Sequence, residues 1–240
     1  MTQFHLNQDL DLASLARDYA ASGRVRIYGL LREDGVSELR AHLCARGDWW
    51  HLISTEGEVL ELDRATRDAM SAERRAALEA EIHARARTGF QYRYEALRVP
   101  EDDEEMAEEE GPLADFARLM ASEPMLAMLR AVTGYDDLDF TDGQATAYGP
   151  GDFLTCHDDD VAGANRRAAY VFGMTPNWRP EWGGLLLFHD DRDRMVSGLV
   201  PSCNTLDLFS VPQRHSVSAV TPAAPHHRYA VTGWLRTGKR

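Results

Sequence analysis

The chain has 240 residues, of which 44% are hydrophobic and 27% charged, a composition typical of a globular protein with a substantial core. Its formal net charge of −13 excludes a general affinity for nucleic acid, which needs a basic surface. No stretch approaches the roughly 20 apolar residues of a membrane span, and the three cysteines, which lack C-x-x-C spacing, favour a cytoplasmic protein without a disulfide framework.

The first 135 residues show mainly helical periodicity. Apolar residues at helical spacing predict helices at residues 9–22, 33–46, 64–87, 112–120 and 124–132. Alternation of polar and apolar residues predicts strands at residues 23–28 and 90–94. We therefore interpret residues 1–135 as a helical support region.

A strongly acidic run, EDDEEMAEEE, occupies residues 101–110 and holds eight acids in ten residues. Such blocks are usually solvated, disordered loops. The alternative is an acidic flap that steers a basic macromolecule towards a site by long-range attraction. The sequence leaves both interpretations open.

From about residue 139 the pattern changes to short apolar or alternating runs separated by Gly, Pro, Asn and Asp. The runs are QATAY, DFLTC, RAAYVFGM, GLLLF, MVSGLV, NTLDLF, HSVSAV and RYAVTGWL. This many short strands with turn signals between them is typical of a barrel or sandwich. We expect a mainly β, α+β fold in which a helical N-terminal layer packs on a jelly-roll core.

A candidate metal site lies in the segment TCHDDD, residues 155–160. If the strand continues through this segment, His157 and Asp159 point to the same side and Asp158 points away. Of the other histidines, His215 opens a later alternating strand, from which a barrel could return a third ligand. Two histidines and one carboxylate with open positions are the facial triad of non-haem Fe(II) oxygenases.

The surrounding motifs resemble a known family. The segment YGPGDFLTCHDDD is similar to the Tyr-x-x-Gly-Asp-Phe-Leu-x-x-His-x-Asp signature of 2-oxoglutarate- and Fe(II)-dependent oxygenases of the prolyl hydroxylase group. The resemblance continues through RRAAYVFGMTPNWRPEWGGLLLF and NTLDLFSVPQRHSVSAV, and it ends at RYAVTGWLR. It covers roughly residues 139–236, with four motifs in the order and spacing of the family.

The resemblance implies a double-stranded β-helix, a cupin-like jelly-roll, over residues 136–240 of a single 240-residue oxygenase domain. It also implies that His157, Asp159 and His215 bind Fe(II). Asp158 then faces outward, and Asp160 takes a supporting or turn position. The positive charge of the ion would offset the mutual repulsion of the three adjacent aspartates.

The resemblance further implies that 2-oxoglutarate and O₂ are cosubstrates, with ascorbate as an accessory reductant. Arg228 matches the family position that binds the distal carboxylate of 2-oxoglutarate, a role that suits a planar guanidinium. Tyr148 matches the tyrosine that hydrogen-bonds the same carboxylate. By contrast, we interpret Trp182 and Trp234 as core residues rather than substrate platforms.

Three functions remain open on the sequence. The first is hydroxylation of a prolyl residue in a protein, which the acidic run suggests is a basic one such as a ribosomal protein. The second is hydroxylation of free proline or another small amino acid. The third is a cupin-like metal-binding or sensor module without turnover, which would not need the dicarboxylate site at Arg228 and Tyr148.

Overall fold

The computed structural model describes residues 2, 4–32, 34–100 and 103–238. The first residue of the predicted helix at residues 33–46 lies outside the described residues. Residues 101 and 102, which begin the acidic run, also lie outside them.

Seven α-helices occur within the described ranges. They are α1 (Leu12–Ser22), α2 (Asp34–Ala45), α3 (Arg64–Asp68), α4 (Ala72–Ala86), α5 (Asp103–Glu108), α6 (Pro112–Met120) and α7 (Glu123–Thr133). Each predicted helical region therefore contains a helix. Of the helices in the part of the chain that the structure describes, none combines the length and the apolar character needed to cross a bilayer.

Two helical regions differ from the predictions. Residues 64–87 were expected to form one helix, but Ser71 begins a new one, because its hydroxyl accepts a hydrogen bond from the Arg74 backbone N–H. The acidic run was expected to be a disordered loop or a flap. Within its described part, Asp103–Glu108 form the short helix α5, whose Met106 is buried, so this part is not a disordered loop.

Thirteen strands form one sheet within the described residues. They are β1 (Arg24–Tyr28), β2 (Trp50–Ser54), β3 (Val59–Asp63), β4 (Tyr92–Arg98), β5 (Phe140–Thr141), β6 (Gln144–Tyr148), β7 (Phe153–His157), β8 (Arg166–Met174), β9 (Leu186–His189), β10 (Met195–Leu199), β11 (Cys203–Ser210), β12 (His215–Val217) and β13 (Arg228–Arg236). All eight runs predicted after residue 139 contain a strand.

The sheet is antiparallel and follows the order β1-β11-β8-β13-β6-β4-β7-β12-β9-β10. The β2–β3 hairpin, which was not predicted, pairs with β4, and β5 pairs with β13. Because β4 lies between β6 and β7, the region 1–135 contributes strands to the sheet as well as helices. The strands predicted at residues 23–28 and 90–94 within this mainly helical region correspond to β1 and β4.

Successive side chains of the central strands point to opposite faces of the sheet. Helices cover one of these faces, and the other is the inner face. On β8, Tyr170 and Phe172 belong to the main core, and Phe172 stacks on Phe116 of α6 with ring centroids 4.6 Å apart. Ala169 and Val171 point to the opposite face, as the period of two in a strand requires. That inner face lines a cavity of about 530 Å³.

Candidate active site

Two cross-strand pairs bring the candidate side chains into this inner cavity. His215 on β12 lies directly opposite His157 on β7, and their ring centroids are 4.1 Å apart. Arg228 on β13 lies directly opposite Tyr148 on β6. Because directly opposed residues in an antiparallel pair project to the same face, these four side chains and Asp159 all line the cavity.

His157, Asp159 and His215 form a compact group of possible metal ligands. The Nε2 atom of His157 is 3.5 Å from one carboxylate oxygen of Asp159, and Nε2 of His215 is 3.5 Å from the other. One ligand atom from each residue lies within 4.8 Å of the other two. Two imidazole nitrogens and one carboxylate at this spacing fit a divalent transition metal that keeps open coordination positions.

Backbone carbonyl groups orient both imidazoles. Nδ1 of His157 is 3.0 Å from the Thr155 carbonyl oxygen, and Nδ1 of His215 is 2.7 Å from that of Gln213. A carbonyl oxygen can only accept a hydrogen bond, so Nδ1 carries the proton in each ring. The Nε2 lone pairs are therefore available at Asp159, as metal-binding histidines require.

Asp159 reaches the group through a turn, not through strand alternation. The strand β7 ends at His157, and Asp159 has a left-handed φ of 63°, a conformation that aspartate tolerates better than most residues. The prediction that Asp159 is the converging aspartate agrees with the geometry, but the extended-strand argument for it is wrong. Asp158 and Asp160 are exposed, and the Asp158 carboxylate accepts a hydrogen bond from the Asp160 backbone N–H.

The local environment favours a neutral His215 beside an ionised Asp159. Burial, followed by the charge of His157, lowers the pKa of His215 to about 4. Burial opposes ionisation of Asp159, but hydrogen bonding to His157 and the adjacent imidazoles outweigh it, so the pKa of Asp159 lies below its usual value. Neutral imidazole and carboxylate are the forms that bind a metal.

Arg228 and Tyr148 form a second buried group in the same cavity. The Arg228 side chain is only 4% exposed, and its guanidinium carbon lies 5.0 Å from the centre of the Tyr148 ring. Among the described residues it has no ion-pair or side-chain hydrogen-bond partner. Burial lowers the pKa of the Arg228 guanidinium, because an unpaired charge is costly to desolvate. This unpaired buried cation fits an anionic ligand.

The carboxylate of Asp207, which acts on Arg228 electrostatically, already has a partner. Asp207 on β11 accepts two hydrogen bonds from Arg26, at 2.6 and 2.8 Å, and both side chains are almost fully buried. Asp207 influences Arg228 only at longer range. The fork of Arg228 therefore remains available for a ligand that enters the cavity.

A row of aromatic rings leads from the surface to Tyr148. Phe90 and Tyr92 have ring centroids 5.6 Å apart, Tyr92 and Tyr94 are 5.4 Å apart, and Tyr94 stacks on Tyr148 at 5.1 Å. Phe90 also lies 5.5 Å from the ring of His157. Alternating positions on and just before β4 therefore form one wall of the cavity.

Arg166 and Trp234 form a support for Asp159 that the sequence analysis missed. Arg166 donates a hydrogen bond of 3.1 Å to the Asp159 backbone carbonyl, and its guanidinium lies 3.6 Å above the Trp234 ring. Trp234, assigned from the sequence to the core, lines the cavity. The signal was present in the sequence, since Trp234 is six residues from Arg228 on one strand and therefore shares its face.

Comparison with known proteins agrees with this arrangement. Residues 143–236 match the family model of the 2OG-Fe(II) oxygenase superfamily. The mouse protein prolyl 3-hydroxylase OGFOD1 is 29% identical over 153 residues, which is 61% of this chain and 28% of the mouse protein. The chain thus spans less than a third of that relative's length.

Solved structures share the fold. A prolyl 4-hydroxylase from Pseudomonas putida matches 95% of this chain and 100% of its own, with a TM-score of 0.58 and 18% identity. A Trichoplax adhaerens prolyl hydroxylase, solved with a hypoxia inducible factor peptide fragment, matches 94% of this chain and 89% of its own, with a TM-score of 0.62 and 14% identity. These likenesses confirm the predicted double-stranded β-helix. Residues 143–236 are therefore similar to the 2OG-Fe(II) oxygenase superfamily, and the fold is the one that these prolyl hydroxylase structures share.

Proposed function

We propose that this protein is a 2-oxoglutarate- and Fe(II)-dependent dioxygenase that hydroxylates a prolyl residue of a protein. In this reaction O₂ and 2-oxoglutarate are consumed, one oxygen atom enters a C–H bond as hydroxyl, and succinate and CO₂ are released. The chain would use His157, Asp159 and His215 to hold the metal. Arg228 and Tyr148 would hold the cosubstrate.

The observation that carries the proposal is the unpaired Arg228 guanidinium in the same cavity as the His-Asp-His group. A metal-binding module without turnover has no use for a buried cation beside the metal ligands. Leaving such a cation unpaired destabilises the fold, so its retention favours a ligand with a carboxylate. A dicarboxylate that reaches from the metal to Arg228 meets this requirement.

Each protein group has a distinct task in this scheme. His157, Asp159 and His215 present three donors and leave the remaining metal positions open. Bound Fe(II) and 2-oxoglutarate would supply the activation of O₂ and the oxidation of an unactivated C–H bond. Arg166 holds the backbone carbonyl of Asp159, which keeps the carboxylate directed at the two imidazoles.

Arg228 and Tyr148 would bind and orient the distal carboxylate of 2-oxoglutarate. The guanidinium can donate two parallel hydrogen bonds, and the Tyr148 hydroxyl can donate a third. Burial raises the pKa of Tyr148 well above its usual value, so its hydroxyl stays protonated. The inner residues of the cavity, including Phe209, Leu186 and Val217, are apolar and exclude water from the reacting groups.

A prolyl residue in a polypeptide is the substrate that the comparisons support best. The mouse relative is named a prolyl 3-hydroxylase, and the T. adhaerens structure contains a peptide fragment. In this chain the prolyl ring would enter the cavity beside Tyr92, Tyr94 and Arg166, which line its outer part. Aromatic rings suit a pyrrolidine ring because they offer apolar contact.

We extend the proposal to a basic protein substrate, such as a ribosomal protein, because the net charge of −13 attracts cationic partners. Ascorbate would serve as an accessory reductant. The cytoplasm is the proposed compartment, since Cys44, Cys156 and Cys203 are all free thiols. No described residue of the acidic run lines the cavity, so the run does not support this extension at the site itself.

Mass spectrometry of treated proteins tests the proposal. The protein is incubated with Fe(II), 2-oxoglutarate and a cell extract, and oxidised residues are mapped. The proposal predicts hydroxylated prolyl residues that are absent when the Asp159→Asn variant replaces the wild type. Turnover on free proline with no protein target would favour the small-molecule alternative. No 2-oxoglutarate consumption with any substrate would favour the non-catalytic module.

A further inference from the structure

The mouth of the cavity has one aromatic side. Phe90 is 52% exposed, an unusual position for a large apolar ring, and it contacts both Tyr92 and His157. Tyr92 and Tyr94 continue the row inward. An exposed ring that continues a buried aromatic row offers a ready platform for an apolar group held over the entrance.

The residues on either side of Asp159 form an acidic side of the same mouth. Asp158, Asp160 and Val161 line the cavity, and all three are exposed, Val161 to 55%. Neither Asp158 nor Asp160 forms an ion pair within the described ranges. Arg166 lines the same cavity, but it contacts the Asp159 carbonyl and the Trp234 ring, so the charges of Asp158 and Asp160 face the entrance without an ion-pair partner among the described residues.

We propose that this rim, formed by Phe90, Tyr92, Asp158, Asp160 and Val161, is the docking surface for a polypeptide with Lys or Arg beside the residue to be hydroxylated. The proposal rests on the proposed function, which supplies the prolyl residue in the cavity. Phe90 and Tyr92 contact the apolar part of the segment, and the two carboxylates attract its flanking cation. Charge complementarity then selects basic over acidic segments.

The acidic helix α5 cannot provide this selectivity at the mouth. Its residues Met106 and Ala107 line a different cavity of about 290 Å³, which Val231 of β13 also lines. The neighbouring residue Thr232 lines the candidate active site, and successive strand residues face opposite sides of the sheet. The helix therefore lies behind the sheet. Its last residue, Glu108, and Glu110, two residues further along the chain, are both exposed and provide a matched control.

Peptide binding tests the proposal without turnover. The probes are fluorescein-labelled Gly-Ser-Lys-Pro-Lys-Ser-Gly and Gly-Ser-Glu-Pro-Glu-Ser-Gly, and their Kd values are measured by anisotropy with Mn(II) and 2-oxoglutarate present. We expect the basic peptide to bind about four- to twenty-five-fold more tightly, because two exposed charge pairs form and each contributes about two- to fivefold. Rising salt should reduce the difference.

Substitutions test which residues cause the preference for the basic peptide. Asp158→Asn with Asp160→Asn should abolish the preference, and the asparagine at position 158 can still accept the hydrogen bond from residue 160. Phe90→Ala should weaken both peptides alike. Glu108→Gln with Glu110→Gln should leave the preference unchanged. The proposal would be overturned if this control lost the preference or if the Asp158→Asn, Asp160→Asn variant kept it. It would also be overturned if protein that binds 2-oxoglutarate did not bind the basic peptide.

The same protein samples distinguish a failure of the docking surface from a failure of the proposed function. Calorimetric titration with 2-oxoglutarate and Mn(II) reports on the proposed function and not on the rim. If the wild-type protein binds no 2-oxoglutarate but prefers the basic peptide through Asp158 and Asp160, the docking surface stands and the proposed function fails.

Discussion

His157 and His215 occupy directly opposed positions of the β7–β12 pair, with ring centroids 4.1 Å apart. They are 58 positions apart in the chain, and the register of this strand pair brings them together. Each Nδ1 is held by a carbonyl two residues earlier, in Thr155 and Gln213. The two Nε2 atoms both face the Asp159 carboxylate, each 3.5 Å from one of its oxygens.

Metal binding should depend on Asp159 and not on its neighbour. Asp159→Asn removes the charged ligand while tolerating the left-handed backbone at φ 63°. We expect Mn(II) affinity, measured by electron paramagnetic resonance, to fall by about a hundredfold or more, beyond the effect typical of supporting residues. Asp158→Asn should bind Mn(II) almost as the wild type does. Equal losses in the two variants would contradict the assignment.

Binding of 2-oxoglutarate should depend on the Arg228–Tyr148 pair. Arg228→Ala leaves a buried carboxylate unpaired, which costs about 2–5 kcal/mol, so affinity should fall well over tenfold while Mn(II) still binds. Tyr148→Phe removes one charge-assisted hydrogen bond, about 1.5–3 kcal/mol, and should have a smaller effect. Titration calorimetry measures both. Unchanged affinity in Arg228→Ala would remove the basis for this site.

Arg166 should act on the metal site through Asp159. Arg166→Lys keeps the positive charge but loses the planar stack on Trp234 and the hydrogen bond to Asp159. Lysine repels the metal ion as arginine does, so only the loss of the two contacts affects the site. We expect Mn(II) to bind about tenfold more weakly. The circular dichroism spectrum should match that of the wild type. Wild-type Mn(II) affinity would show that this contact does not position the carboxylate.

Glu95 on β4 should make stability depend on pH. Its carboxylate is buried, and Arg64 and Arg67, each about one-third exposed, bind it. Burial opposes its ionisation, but hydrogen bonds and charges from the two arginines outweigh it, so the pKa is lowered. Because the pKa of Glu95 is lower in the folded protein, ionised Glu95 stabilises the fold at pH values above its unfolded pKa of about 4.5. This stabilisation is lost as the pH falls through the folded-state pKa.

The Glu95→Gln variant measures this contribution. Denaturant unfolding at pH 7 should show a loss of about 1.5–3 kcal/mol, the range for hydrogen bonds to charged groups, because the arginines regain water. The difference from the wild type should shrink below pH ~4.5, where the unfolded carboxyl begins to protonate. A difference that stays constant from pH 7 to pH 3 would mean that the ion pair is not its source.

The strands after residue 139 could be predicted because local alternation encodes them, and the resemblance of the motifs pointed to the five candidate residues that line one cavity. The turn at Asp159 could not, since the φ of one residue depends on the Arg166 contact to its carbonyl. The insertion of β4 between β6 and β7 depends on pairing between distant segments. The position of α5 behind the sheet likewise follows from tertiary packing of Met106.

Oxygen-isotope labelling shows whether the hydroxyl oxygen comes from O₂ in a reaction coupled to 2-oxoglutarate. The protein is incubated under ¹⁸O₂ with Fe(II), 2-oxoglutarate and extract proteins, and the products are analysed by mass spectrometry. We expect one ¹⁸O atom in each new hydroxyprolyl residue, one in succinate, and equal amounts of the two products. Hydroxyl oxygen that comes from water, or prolyl oxidation without succinate, would contradict it.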